Sequence, residues 1–174
     1  MRLAQTTSIR RGRHERPLPR RRRARTALAA SIAGIFAVAL ASGPVIAADE
    51  GVPAPAAVVR ELETALARAI ERFQARDVDG VLGYVSDQYR TGPFTKAGLR
   101  EQLVALYSVY DAVQAKIRID SVRMVNGTAW VYTTGEVSGR LSLIATWVTL
   151  FSWRRELEVA RREAQGWRLY GYQR

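Results

Sequence analysis

The hydrophobic repeat changes once along this chain, and that change limits the fold more than any other feature. Through residues 57–75, Val58, Leu62, Leu66, Ile70 and Phe73 recur at spacings of three and four, which is the stripe of an amphipathic helix. Asp77 and Asp79 offer a stop and a new start for a short helix over 79–86, with Val81, Leu82 and Val85 inward. Gly92-Pro93 demands a turned or extended backbone. Thr95 is the expected N-cap of a helix over 96–110, whose stripe is Leu99, Leu103, Leu106, Tyr107 and Tyr110. Beyond it the period drops to two. Ala115, Ile117 and Ile119 alternate with Lys116, Arg118 and Asp120, as in a half-buried strand. Val122 and Met124 fall out of that phase, which predicts a β-bulge near Asp120–Ser121.

Asn126-Gly127 is the strongest turn signal, because a type I′ hairpin needs positive φ at both positions. The return strand is expected over Thr128–Val137. Further strands are expected over 146–152, 154–163 and 167–173. Helices first and a meander afterwards predict an α+β fold, with three N-terminal helices packed on one face of a curved antiparallel sheet.

The first 48 residues have a different character. They hold ten arginines and one glutamate, whereas residues 49–174 hold 17 Lys+Arg and 15 Asp+Glu. The basic character belongs to this leader, so the nearly neutral remainder lacks the footprint of a nucleic-acid binder. Arg10 to Arg23 form a basic run, Ala27–Leu40 an apolar one, and Ala47-Ala48 a small-residue exit. That order is a secretory signal peptide, with the mature chain starting at Ala48 or Asp49. The rival reading is an uncleaved N-terminal anchor, since the apolar run reaches spanning length only if the residues after Pro44 are included. Either reading places the rest of the chain outside the cytoplasm, in the periplasm or beyond. Arginine pairs hint at a twin-arginine route, although Arg22-Arg23 lacks the usual aromatic-leucine pair after it. Residues 49–56 read as a linker, and residues 57–174 as one domain.

The chain has no cysteine, which removes disulfides, thiolate catalysis and thiolate metal sites. Its one histidine is His14, in the leader. The domain therefore lacks the imidazole of catalytic triads and of most transition-metal sites. No cofactor and no metal are expected.

Two stretches carry a family resemblance. AIERFQARDVDGVLGYVSDQY, residues 69–89, resembles the first helix, acidic-glycine junction and second helix of the nuclear-transport-factor-2-like (NTF2-like, or SnoaL-like) superfamily. GWRLYGYQR, residues 166–174, is similar to its usual final strand. The resemblance implies a cone-shaped α+β domain with a pocket between the concave sheet and the helices, and it implies sheet-mediated homodimers. It says nearly nothing about activity, because the superfamily hosts isomerases, dehydratases and plain binding modules. Candidate pocket-lining residues are Phe73, Tyr84, Tyr89, Phe94, Tyr107, Tyr110, Trp130, Tyr132, Trp147 and Trp153. Aromatic stripes of this kind also serve simply as core packing.

A ketosteroid-isomerase-like site would need an aspartate base before a proline and a tyrosine donor on the first helix. The matching positions here are Gly92 and about Ala69, so both roles are empty. Asp77, Asp79 and Asp87 form a cluster that helix capping explains. Arg154 to Glu163, with mixed charges flanking Leu157 and Val159, reads as an exposed or edge strand. The favoured expectation is a non-catalytic domain that binds a small apolar ligand or a protein partner. The alternatives are a histidine-free enzyme using Asp87 or Asp120 with Tyr89 or Tyr132, and a subunit of an envelope assembly.

Overall fold

The computed structural model describes residues 51–172 apart from Ser142 and Ile144. The expected signal at residues 1–48 lies outside the described residues. Helix α1 (Ala56–Gln74) buries Leu62 and Phe73, with Val58 and Ile70 partly buried on the same stripe. Asp77 caps α2 (Val78–Leu82), its carboxylate accepting from the Gly80 N–H at 2.8 Å. Thr95 caps α3 (Lys96–Val109) by accepting from the Gly98 N–H at 3.3 Å. Each cap satisfies one of the amide groups that a helix start leaves without an internal partner.

The second helix ends earlier than its pattern suggests, at Leu82 rather than near residue 86. After it the backbone leaves helical bonding for the last strand. The Ser86 N–H donates to the Leu169 carbonyl and the Leu169 N–H to the Tyr84 carbonyl, each at 2.9 Å. Strands β2 (Arg90–Thr91) and β3 (Phe94–Thr95) form a small hairpin around Gly92-Pro93.

The main sheet has the order β1-β4-β5-β6-β7. Its strands are β1 (Val52–Pro53), β4 (Tyr110–Val125), β5 (Thr128–Leu141), β6 (Thr146–Glu163) and β7 (Gly166–Leu169). Asn126 and Gly127 have φ of 48° and 79°, and they join β4 to β5 through the pair Val125↔Thr128. The bulge expected near Asp120 is a register shift between Ile119 and Ser121. Two more shifts, at Thr133/Gly135 and Val137/Ser138, break the β5–β6 ladder. Bulges add twist and bend to a long ribbon, which lets the sheet curve around the helices.

Three sequence expectations are corrected here. The strands over 146–152 and 154–163 are one continuous strand, β6, bent rather than interrupted. Val52 and Pro53, within the stretch read as a linker, pair with Met124 and Arg123. The stretch Arg154–Glu163 is not a simple edge, because Ala160 and Arg161 pair with both β5 and β7.

Two buried clusters fill the space under the helices. One gathers Phe73, Leu82, Leu99, Leu103, Leu106 and Trp153. The other gathers Leu62, Val122, Ala129, Val131, Ala160 and Trp167. Where they meet, the packing leaves an opening.

Candidate functional site

The opening is a cavity of ≈ 160 Å³. Its roof is the inner stripe of α1: Leu62, Ala65, Leu66 and Ala69. The two alanines stand where larger side chains would fill the space. Leu99 and Leu103 of α3 and the α2 region close the sides. The floor is the concave face of the sheet, with Ile117 and Ile119 from β4, Val131 and Thr133 from β5, and Glu158 and Ala160 from β6. Ala69, the position where an isomerase-like donor would sit, thus does face the cavity, and it carries no hydroxyl.

Glu158 is the chemical anomaly in this lining. It pairs across the ladder with Val131, and Glu156 pairs with Thr133. Residues two apart on a strand share a face, so both glutamates point to the concave side. Glu158 is half-buried, and its side chain borders the cavity. Burial pushes its pKa up from 4.5 to about 8, and the charge of Glu156 adds to that rise. Burial raises Glu156 as well. No side chain among the described residues donates a hydrogen bond to Glu158. A carboxyl in such surroundings stays protonated near neutrality and acts as a hydrogen-bond donor.

Its neighbours are already occupied. Thr133 Oγ1 accepts from Trp153 Nε1 at 3.0 Å in the buried layer. Tyr89 is buried, and its phenol is pushed up to about 12 by burial. Its hydrogen bond with Thr91 partly offsets that rise, and the charge of Glu158 adds to it.

The structure distributes the residues singled out by sequence among three surroundings. Tyr84 lines the cavity. Phe73, Tyr89, Tyr107 and Trp153 belong to the adjoining core, with Tyr110 and Phe94 packed against it. There the Tyr107 hydroxyl donates to the Phe73 carbonyl at 3.0 Å, and Trp153 stacks on Phe151 with ring centres 6.0 Å apart. Trp130, Tyr132 and Trp147 lie elsewhere. Trp130 meets Tyr172 edge-on at 6.4 Å, Arg155 lies 5.6 Å over the Tyr132 ring, and Trp147 is 41% exposed. Asp87 is a surface group, 94% exposed and paired with Lys96 at 2.7 Å, which holds its carboxyl below the usual range. Asp120 accepts from the Thr134 hydroxyl and pairs with Arg118 at 3.1 Å. Asp87 and Asp120 are therefore not brought to the cavity together with Tyr89 and Tyr132.

Sequence reasoning passed over Glu158, and the reason is local. The mixed charges around Leu157 and Val159 read as an exposed or edge strand. The fold instead buries Val159 and turns Glu158 to the cavity. Leu157 and Val159 stand opposite Tyr132 and Trp130, and the C-terminal segment bonds to the Val159 carbonyl through the Tyr170 and Gly171 N–H groups. A carboxylate at every second position of a strand next to Ala160 was the available signal.

No protein-family model matches the sequence, and no curated protein matches it significantly. Solved structures do match in shape. One is a conserved protein from Planctomyces limnophilus, 15% identical over 66% of this chain and 92% of that one, with a TM-score of 0.57. Another is a candidate scytalone dehydratase from Novosphingobium aromaticivorans, 8% identical over 65% of this chain and 79% of that one, at 0.56. A third is a candidate dehydratase of the NTF2-like family from Streptomyces avermitilis, 15% identical over 67% of this chain and 94% of that one, at 0.51. At such identities the likeness speaks for shape alone. Helices laid over a curved antiparallel sheet, with a cavity between them and these structures as neighbours, make the described domain an NTF2-like, SnoaL-like fold.

Proposed function

We propose that this domain binds a small molecule with an apolar body and one hydrogen-bonding group, held in the cone cavity without chemical change. The observation that carries this reading is the lining, which is hydrophobic except for a few polar groups, among them Glu158, whose carboxyl burial pushes up to about 8. A cavity of ≈ 160 Å³ is small beside the roughly 300–1,000 Å³ of common ligand pockets. It is close to the ~150 Å³ of an engineered hydrophobic cavity that takes up benzene. The ligand portion enclosed is therefore about the size of one ring, and its hydroxyl or carbonyl accepts from Glu158.

Ligand-observed NMR with benzene, phenol and cyclohexanone tests this on the full chain. Phenol and cyclohexanone should bind, and Ala69→Phe, which fills the cavity, should abolish binding. Retained binding in Ala69→Phe, with the fold intact, would remove the cavity from the argument.

A second reading is favoured by one observation, the raised pKa of Glu158 next to the buried Tyr89. A carboxyl that titrates near the working pH is suited to general acid–base work. In that reading Glu158 exchanges a proton with the carbon beside a bound carbonyl. Deuterium exchange into cyclohexanone that is lost in Glu158→Gln would favour turnover over simple binding. The basic, apolar and small-residue order of residues 1–48 supports export, and we place the domain in the periplasm or beyond. Cell fractionation, with the mature N-terminus sequenced, tests that placement and separates a cleaved signal from an anchor. A homodimer through the sheet is proposed on fold grounds, and sedimentation tests it.

A further inference from the structure

The outer flank of α1 leads to a different surface. Arg60, Arg68 and Arg72 from that helix, with Arg162 of β6 and Arg168 of β7, line an open groove of ≈ 1110 Å³. Five arginines there face three carboxylates, and each carboxylate is already engaged. Glu61 accepts from Trp167 Nε1 at 2.9 Å and pairs with Arg162 at 3.3 Å. Asp77 pairs with Arg72 at 3.2 Å, and Asp79 with Arg100 at 2.6 Å. Arg60 and Arg68 have no carboxylate partner among the described residues. Arg168 donates to the neutral amide oxygen of Gln165. The groove is thus left with excess positive charge where an anion would be held by forked donors.

The groove and the cavity are not separate features. Ala65, Tyr84, Trp167 and Arg168 line both. Arg162, in the groove, follows the cavity positions Glu158 and Ala160 along β6. Arg168 borders the apolar cavity while Arg68 stands on the groove side, so a cationic subsite adjoins the apolar one.

We propose that the ligand is an anionic amphiphile, whose apolar part occupies the cavity while a carboxylate or phosphate head is held in the groove by Arg68 and Arg168. This rests on the binding reading above and extends it for the same site: the hydroxyl or carbonyl that meets Glu158 belongs to the part in the cavity, and the anionic head is a second polar group. The head enters last, past Tyr84 and Trp167, and stays in the wetter groove, away from the Glu158 carboxyl.

Titration calorimetry of the full chain with octanoate, octyl phosphate and 1-octanol tests the proposal. At low ionic strength at least one anion should bind about tenfold more tightly than the alcohol, and salt should shrink that advantage. Arg68→Gln together with Arg168→Gln should reduce the advantage, read as the ratio of anion to octanol affinity, to about twofold or less. Arg68→Gln alone, on an exposed helix face, should lower it partway, which guards against a folding defect in the double variant. Octanol binding as tightly as both anions would overturn the head-group site and leave the cavity standing. Anion binding indifferent to both arginine substitutions would overturn it too. If none of the three binds, the cavity reading falls with it.

Discussion

Replacing Glu158 with glutamine should make the protein more stable, and only in a defined pH range. Burial raises this carboxyl from 4.5 to about 8 in the folded chain, whereas the unfolded chain titrates near the ordinary value. Below that value both states hold the proton and the group contributes no difference. Between there and about 8, the unfolded state releases the proton and the folded state keeps it, so wild-type stability falls as pH rises. Above the folded value both states are ionised and the slope ends. One pKa unit corresponds to about 1.4 kcal/mol, so the full shift has a ceiling of roughly 5 kcal/mol. Water reaching the carboxyl through the cavity lowers this, and ~3 kcal/mol is the working expectation. Glutamine has the same shape and does not ionise. Urea unfolding of wild type and Glu158→Gln, followed by tryptophan fluorescence, should therefore show curves that nearly meet in acid and separate steadily to about pH 8. A difference that stays flat across that interval would refute the placement of Glu158 in an apolar enclosure. Substituting Glu156 should narrow the separation, because part of the rise is its charge.

Leu103 is 1% exposed and borders the cavity, so Leu103→Ala should cost about 2–5 kcal/mol in urea unfolding and admit bulkier ring probes. Thr133→Val removes the hydroxyl that accepts from the buried Trp153 Nε1 at 3.0 Å, a loss of about 1–3 kcal/mol that Thr133→Ser should largely restore. At Gly135 an added Cβ would stand 2.6 Å from the Trp153 ring and 3.0 Å from the Lys116 carbonyl, so Gly135→Ala should destabilise by about 1–3 kcal/mol and lower the melting temperature. Arg140 holds the Asp111 carboxyl below its usual range through paired contacts at 3.0 Å. Stability from this pair is present above the ordinary aspartate value and is lost as pH falls through the depressed one, so Arg140→Gln should weaken the fold at neutrality and converge with wild type in strong acid.

What the sequence alone determined follows from local physics. The four- and three-residue spacing of Leu62, Leu66, Ile70 and Phe73 can be satisfied only by a helix with one buried side. Asn126-Gly127 reads as a hairpin because few residue pairs accept positive φ twice, and the phase slip after Ile119 reads as a bulge because strand geometry has a strict period of two. Each of these depends on a few adjacent residues, and each is present in the structure. The cavity and its acid depended on tertiary structure. A period of two says which residues share a face of β6, but not which face turns inward. The register shift at Thr133/Gly135 and Arg155 at φ 52° interrupt the alternation just before Glu156 and so set which of the strand's residues turn inward. The alanines at 65 and 69 are ordinary helix formers in the sequence. They become a roof only when α1 is laid across the curved sheet, because an empty volume belongs to the arrangement of elements and to no single one of them.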